Sequence, residues 1–256
     1  MHKLSLWLLI VIGSACNLLP PRPTLPSLQL TPLASATATF VPSATPTPAT
    51  PTVTPTLTPD PRFFRDDFNG TLDGGWSWVR EDPANWSMTA LPGTLQINVA
   101  GGYLAKQTNP NVLLRSAPEG DFQIQTQLTF RPTRNYQFAG LIIYEDNSNF
   151  LQAGRSYCGS VGCVGPGLYM DLYENGDIVK PDFGQRYTEF DPLLLRLSRK
   201  GDTYTFEAST NGKVWFIIGK HTSDMNPLQI GLVTGQRLRG ENLPATFEYF
   251  EVRSLQ

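Results

Sequence analysis

Three side chains in one short segment are spaced so that they share one face of a β-strand. Tyr169, Asp171 and Tyr173 stand at every second position, and alternate residues of a strand point to the same side of its sheet. An aromatic ring stacks on the apolar face of a pyranose, and a carboxylate accepts hydrogen bonds from sugar hydroxyls. The spacing therefore favours a surface that binds a carbohydrate. The competing interpretation is that these residues simply form the solvent-exposed face of an antiparallel sheet.

Four further side chains are candidates for the same surface. Gln125 and Gln127 alternate with apolar residues on another predicted strand, and we expect that strand to lie beside the first. Tyr144 would add an aromatic ring, and Arg155 a guanidinium group that donates hydrogen bonds to hydroxyls. Together with the first three residues, these four make up the predicted carbohydrate site.

Acid–base catalysis has weaker support in the sequence. A glycoside hydrolase needs two carboxylates that face one groove. Glu145 and Asp146 are adjacent, and Asp171 and Glu174 also differ in parity, so each pair points to opposite faces of a regular strand. A hydrolytic triad would have to use His221, which lies in a turn-like stretch and is expected to be solvent-exposed. We therefore predict a protein that binds without catalysing.

The elements that position these side chains are predicted to be strands. After Arg62 no segment repeats apolar residues at helical spacing, whereas residues 122–130 alternate between apolar and polar types. The run 139–144 is apolar on both faces, as a central strand requires. Closely spaced strands without helical blocks predict an all-β fold, a two-sheet antiparallel β-sandwich, over residues 62–256.

Three turn signals divide the second half of this region. Asn175-Gly176 and Asn211-Gly212 each stand between two predicted strands. Both predict two-residue hairpins, since asparagine and glycine tolerate the positive φ that such turns need. A third hairpin is predicted at residues 200–202.

Residues 1–15 predict export. Lys3 precedes an apolar run at 4–12, and small residues follow, which is the layout of a signal peptide. The run is about nine residues long, whereas a membrane-spanning helix needs about 20. The segment 12–16 resembles a bacterial lipobox, in which Cys16 would be lipidated after cleavage. Ordinary secretion is the alternative.

The cysteine count agrees with lipidation. The chain has three cysteines, an odd number for an exported protein. Lipidation of Cys16 would leave Cys158 and Cys163 to close a small disulfide ring in an oxidising compartment. A zinc site is the alternative interpretation of these two cysteines, although two cysteines with no nearby histidine supply only half of the usual ligands.

Residues 16–61 predict a disordered Pro/Thr-rich linker. Stretches such as 43–48 and 50–56 carry too little apolar surface to offset chain entropy, and proline removes backbone donors. In an extended polyproline II conformation of about 3.1 Å per residue, roughly forty residues would reach about 130 Å. We therefore expect a domain held away from a bacterial cell surface, or secreted with its stalk.

The order of several motifs resembles a known family. In chain order, the motifs are Asp66-Asp67-Phe68, Trp76-Ser77-Trp78, and the segments 140–146, 149–151, 209–215, 228–235 and 247–252. This order resembles the concanavalin A-like lectin/glucanase superfamily, and in particular the jelly-roll domain found C-terminal to the catalytic domain of family 43 β-xylosidases. That family usually has aspartate where Asn211 stands. The resemblance implies a non-catalytic jelly roll, and the E-x-D-x-E motif of the superfamily's glucanases is absent.

The net charge of the chain disfavours one class of partner. The chain has 20 basic and 22 acidic residues, for a net charge of −2, and it has no basic stripe, so nucleic acid is disfavoured. We expect a polysaccharide or glycan as the partner of a monomer, with membrane contact only through the lipid. No cofactor is expected, although Asp66 and Asp67, opposite Glu248, are candidates for a structural calcium. A structural or protein-interaction module without a sugar site is the alternative function, followed by a glycoside hydrolase.

Overall fold

The computed structural model describes residues 63–159, 164–184, 189–237 and 240–255. The predicted signal peptide at 1–15, the linker at 16–61 with Cys16, and Cys163 lie outside the described residues. Those assignments and the disulfide between Cys158 and Cys163 stay predictions.

The described part of the chain is almost entirely β-structure. Its strands, in chain order, are β1 (Phe63–Asp66), β2 (Ser77–Val79), β3 (Trp86–Ser87), β4 (Leu95–Val99), β5 (Val112–Ser116), β6 (Phe122–Thr129), β7 (Gln137–Tyr144), β8 (Phe150–Cys158), β9 (Gly165–Glu174), β10 (Asp177–Gly184), β11 (Leu193–Lys200), β12 (Thr203–Ser209), β13 (Phe216–Thr222), β14 (Gln229–Gln236) and β15 (Leu243–Ser254). Two short 3₁₀ helices, Pro83–Asn85 and Leu104–Lys106, also occur in these ranges. No helix in the described ranges is long and apolar enough to cross a membrane.

The strands form two antiparallel sheets. Within the described ranges, one sheet has seven strands in the order β10-β9-β8-β7-β14-β5-β2. The other has eight, in the order β13-β12-β11-β6-β15-β4-β3, with β1 paired to β15. The two-sheet β-sandwich predicted from the sequence is confirmed.

The core lies between the sheets and follows from period-two patterning. Strand β6 alternates buried and partly exposed residues along its length, as the pattern at 122–130 predicts. Its Ile124 and Leu128 share one hydrophobic cluster with Leu168 and Met170 of β9. Strand β7 lies between β8 and β14 and is buried on both faces, as expected for a central strand. Burying one such leucine or isoleucine contributes about 1.5–3 kcal/mol.

Two of the three predicted hairpin turns have the expected form. Asn175 has φ 54° and Gly176 has φ 84°, and the two residues join β9 to β10. Both values lie in the left-handed region that a two-residue Asn-Gly turn requires. Gly201 and Asp202 similarly connect β11 to β12.

The prediction of a two-residue hairpin at Asn211-Gly212 is wrong. Residues 210–215 connect β12 to β13, which makes a longer loop. The hydroxyl of Ser209 accepts hydrogen bonds from the backbone N–H groups of Asn211, at 3.3 Å, and Gly212, at 2.9 Å. The Oδ1 atom of Asn211 then accepts from the N–H of Lys213 at 2.9 Å. These local hydrogen bonds compete with pairing across the ladder.

The prediction of an exposed His221 in a turn is also wrong. His221 lies on β13 opposite Tyr204, and only 1% of its surface is exposed. Its Nε2 atom lies 3.1 Å from the carbonyl oxygen of Met170 and 3.6 Å from a carboxylate oxygen of Asp182. The side chain of His221 is buried because β13 packs against β9 and β10 of the opposite sheet.

Candidate functional site

The predicted tyrosine and aspartate face lies on the outside of the sandwich. The apolar residues of β9 join the inter-sheet core, so Tyr169, Asp171 and Tyr173 between them occupy the outer face of the seven-stranded sheet. Antiparallel pairing with β8 places Gln152 opposite Asp171 and Phe150 opposite Tyr173. Neighbouring strands therefore bring aromatic and polar side chains together at one place.

A pocket of about 240 Å³ opens on this outer face. Its described aromatic lining residues are Tyr103, Tyr136, Phe138, Phe150, Tyr169 and Tyr173. The other described lining residues are Leu104, Gln152, Ser156, Asp171, Ile178 and Arg237. Three of the seven predicted site residues thus line one pocket.

Aromatic rings flank the pocket on two sides. On one side Phe150 and Tyr173 are stacked, with ring centroids 4.4 Å apart and planes 16° from parallel. On the other side Phe138 and Tyr169 meet edge to face, with centroids 5.9 Å apart. Such pairs add about 0.5–1.5 kcal/mol beyond their buried area, so each ring holds its neighbour in a defined orientation.

Polar atoms at the floor of the pocket lack protein partners. The side-chain oxygen of Gln152 and the hydroxyl of Tyr169 are buried, and neither makes a hydrogen bond within the described residues. Burial raises the pKa of Tyr169 well above its usual value, and the nearby Asp171 adds to the rise. The hydroxyl therefore stays protonated and can both donate and accept.

Asp171 is the carboxylate of the pocket floor. Its pKa is raised to about 7, chiefly by burial; a hydrogen bond from Gln152 lowers the pKa in part, and the neighbouring carboxylate of Asp182 raises it. Near neutral pH this side chain is consequently divided between its acidic form, which donates a hydrogen bond, and its ionised form, which only accepts.

Arg237 stands at the mouth of the pocket. Its guanidinium carbon lies 5.2 Å from the ring centroid of Tyr136 and 5.8 Å from that of Tyr103. Cation–π contacts of this kind at exposed positions contribute about 0.5–1 kcal/mol. The arginine therefore links two tyrosines that lie in different segments of the chain.

The rest of the outer face is apolar and partly covered. Leu104, in the 3₁₀ helix Leu104–Lys106, is 1% exposed and packs in a second hydrophobic cluster on this face. That cluster includes Val112 and Leu114 of β5, Ile142 of β7 and Val233 of β14. The part of the face nearest β5 and β14 is thus occupied by the protein's own side chains.

Two predicted residues on the seven-stranded sheet lie outside the pocket. Tyr144 points to the same face, but it is buried in the second hydrophobic cluster, and burial raises its pKa. Arg155 has the opposite parity on β8 and is 2% exposed. Its Nη1 atom donates to the carbonyl oxygen of Phe190 at 2.8 Å and to Asp191 at 3.1 Å. Burial lowers the pKa of Arg155, while Asp191 raises it; this guanidinium is part of a buried ion pair.

Gln125 and Gln127 belong to the other sheet. They lie on β6, whose inward residues join the inter-sheet core, so both amides occupy the outer face of the eight-stranded sheet. The amide of Gln125 donates to the hydroxyl of Tyr249 at 2.6 Å. The expected strand neighbour of β9 is instead β8, with Gln152 as the corresponding amide.

Several lining residues were not predicted from the sequence. Gln152 and Phe150 share one face of β8, and a register between β8 and β9 would have placed them beside Asp171 and Tyr173. Period two predicts the face of each strand but not that register. Tyr103 and Tyr136 lie outside the named strands, where no periodic signal exists.

The proposed calcium ligands have other roles. Asp66 accepts hydrogen bonds from the backbone N–H groups of Phe68 and Asp73 and from the indole of Trp76, all at 2.8–2.9 Å. Asp67 forms an ion pair with Arg65 at 2.7 Å. Within the described residues, no group of three acidic, histidine or cysteine side chains is arranged to hold a metal ion.

One protein-family model matches most of this chain. Residues 65–253 match the model of the β-xylosidase C-terminal concanavalin A-like domain. The chain belongs to this family. Membership in the β-xylosidase C-terminal domain family confirms the resemblance carried by the sequence motifs. No curated protein matches the chain.

Solved structures of longer proteins contain the same fold. The GH43 protein BlXynB from Bacillus licheniformis is 23% identical with a TM-score of 0.65, covering 77% of this chain and 40% of that one. A xylan β-1,4-xylosidase from Bacillus halodurans is 19% identical with a TM-score of 0.64, covering 77% and 40%. The Bacillus licheniformis β-glucanase is 12% identical with a TM-score of 0.53, covering 75% and 98%. At these identities the likeness shows the fold, and this chain spans about two fifths of the first two of these structures.

Proposed function

We propose that this protein is a non-catalytic carbohydrate-binding module whose binding site is the pocket on the outer face of the seven-stranded sheet. The observation that carries the proposal is the combination of two aromatic pairs with a polar floor between them. A pyranose has an apolar face that stacks on such rings and hydroxyls at its edge that meet the polar groups.

The hydrogen-bonding state of the floor favours a ligand rich in hydroxyl groups. The side-chain oxygen of Gln152 and the hydroxyl of Tyr169 have no partner within the described residues, and a buried polar group left unsatisfied costs about 1–3 kcal/mol. Sugar hydroxyls can donate to Gln152 and to Asp171 and can either donate to or accept from Tyr169. A bound sugar would thus recover much of this cost.

Binding is favoured over hydrolysis by the number of carboxylates. Among the described lining residues, Asp171 is the one carboxylic acid, whereas glycoside hydrolases generally use two. The names of similar structures include a xylan β-1,4-xylosidase and a β-glucanase, which makes plant polysaccharides the first ligands to test. Nucleic acid is disfavoured by the net charge of −2.

We also propose that the N-terminal segments display this module at a bacterial cell surface. A signal peptide at 1–15, lipidation at Cys16 and an extended linker at 16–61 would display the domain on a bacterial surface. Display on a long tether suits a monomeric module that searches for polysaccharide outside the cell.

The test is binding of the full-length protein to xylan, arabinan and β-glucan by affinity electrophoresis. We expect retardation by at least one polysaccharide, and a loss of at least about tenfold in affinity, or about 1.4 kcal/mol, for Tyr173→Ala and for Gln152→Ala. Gln127→Ala on the other sheet is the matched control and should bind as the native protein does.

Two outcomes would contradict the proposal. If Gln127→Ala weakens binding and the two pocket variants do not, the sugar site lies on the eight-stranded sheet. If none of the polysaccharides retards the protein, the structural or protein-interaction alternative replaces carbohydrate binding.

A further inference from the structure

We propose that the pocket receives a single sugar unit at the end of a glycan chain and excludes the interior of a polysaccharide. This inference rests on the proposed function, because it concerns what the same pocket binds. It follows from the way in which the protein's own side chains close the outer face of the seven-stranded sheet.

Part of the outer face is occupied by the protein's own apolar side chains. A sheet of seven strands is wide enough to hold several sugar units in a row across its strands. Here Leu104, which lines the pocket, belongs to one hydrophobic cluster with Val112 of β5, Ile142 of β7 and Val233 of β14. A chain that entered the pocket from β10 would reach Leu104 at the pocket wall and, beyond it, apolar side chains in place of further hydrogen-bonding groups.

The volume of the pocket suits one sugar unit. A pocket of about 240 Å³ has the volume of roughly eight water molecules and falls below the roughly 300–1,000 Å³ typical of sites for drug-sized ligands. One pyranose ring with its hydroxyls fits such a volume, whereas a second ring would have to lie outside the pocket mouth.

Two polar side chains of the pocket lie in a single row. Gln152 and Asp171 are directly opposite each other on adjacent strands, so they form one polar row across the face. The neighbouring row on one side holds Phe150 and Tyr173, which are aromatic. The polar contacts therefore converge on one position, where one sugar unit can satisfy them, and they do not repeat along a groove.

The mouth of the pocket also favours entry of an end. Tyr136 and Tyr103 stand beside Arg237, which contacts both rings, and Ile178 of the edge strand β10 lines the pocket near Tyr173. These side chains line the same pocket as the polar row of Gln152 and Asp171. A chain end can pass between them, but a continuous chain would need two openings on opposite sides.

The experiment varies the number of chain ends at constant mass of polysaccharide. The full-length protein is titrated with xylan, arabinan and β-glucan, each in its long form and after partial acid hydrolysis to about one tenth of its length. We expect about ten times more protein bound per gram after hydrolysis. We also expect the free monosaccharide of the bound glycan to compete as well, mole for mole, as its short oligosaccharides.

The controls separate this inference from the proposed function. Equal capacity per gram before and after hydrolysis, with competition only by oligosaccharides, would overturn end recognition while leaving carbohydrate binding intact. Failure of every long and hydrolysed polysaccharide to bind would overturn both. Tyr173→Ala should bind the hydrolysed polysaccharide at least about tenfold more weakly than the native protein does, and Gln127→Ala should bind it as the native protein does. Undiminished end-dependent binding by Tyr173→Ala would place the end-binding site elsewhere and contradict the inference.

Discussion

At the scale of single residues, Asp171 has the environment with the clearest physical consequence. Burial, followed by the charge of Asp182, raises its pKa to about 7 in the folded protein, whereas the pKa of an aspartate in an unfolded chain is about 3.9. Between these values the folded protein holds a proton that the unfolded chain has released. The stability that the protonated Asp171 side chain contributes to the fold is therefore complete below about pH 4 and is lost as the pH rises towards 7.

We predict that Asp171→Asn removes this pH dependence. Relative to the variant, the native protein should lose up to about 1.4 kcal/mol of unfolding free energy for each pH unit between about pH 4 and pH 7, with less where water screens the carboxylate. Urea unfolding at a series of pH values measures the difference. Asp177→Asn, an exposed position next to the hairpin turn, is the matched control, and parallel curves for Asp171→Asn and the native protein would show that the carboxylate is not buried in this way.

Residue identity alone did not determine the role of Arg155. An arginine can donate hydrogen bonds to a sugar, yet the parity of Arg155 on β8 turns it to the inner side, where it pairs with Asp191. The same one-residue difference in parity separates Arg155 from Gly154 and Ser156, which lie on the outer side.

At the scale of elements, the two Asn-Gly pairs show that a local signal depends on its neighbours. Asn175-Gly176 forms the predicted two-residue turn, with both φ values positive. At Asn211-Gly212 the preceding Ser209 accepts hydrogen bonds from both backbone N–H groups, and a longer loop results. A hydroxyl at that position offers the backbone an alternative to the ladder, which the dipeptide by itself does not reveal.

The close approach of β7 and β8 depends on a pair of glycines, Gly140 and Gly154, which face each other. A Cβ atom on Gly154 would lie 2.1 Å from the carbonyl oxygen of Ala139, an approach that requires the backbone to shift. We predict that Gly154→Ala destabilises the fold by about 1–3 kcal/mol or more. It should also weaken glycan binding, because Gly154 pairs with Tyr169 of the pocket.

Chemical denaturation measures the Gly154→Ala effect, and Gly74→Ala is the matched control. A Cβ atom on Gly74 would have no heavy atom within 4 Å, and its φ lies outside the left-handed region. We expect the control to change the unfolding free energy by less than about 0.5 kcal/mol. Equal stabilities for the two variants would mean that the strands can separate at no cost.

At the scale of the whole molecule, the remaining prediction concerns display at a surface. If Cys16 is lipidated, the protein should partition with membranes of a bacterial host, and Cys16→Ser should move it to the medium or the soluble fraction. Fractionation followed by detection of the protein measures this shift. Cys158→Ser, which leaves the N-terminal signal intact, should stay with the membranes, and native protein found only in the medium would instead indicate ordinary secretion.

What the sequence by itself determined is the class of fold and the inward face of the strands in which apolar and polar residues alternate. Alternation at 122–130 and 167–173 predicted which residues would enter the core, because period two depends only on the pleat of a single strand. Motif order predicted the family, and the spacing of Tyr169, Asp171 and Tyr173 correctly placed these residues on one outer face.

Only the tertiary structure decided which faces meet. Gln125 and Gln127 lie on the opposite sheet, Gln152 stands beside Asp171, and Leu104 joins the hydrophobic cluster on the outer face. These placements depend on strand order, on register and on the path of irregular segments. Each is determined by contacts between residues far apart in the chain, and the alternation within one strand carries no information about its partner.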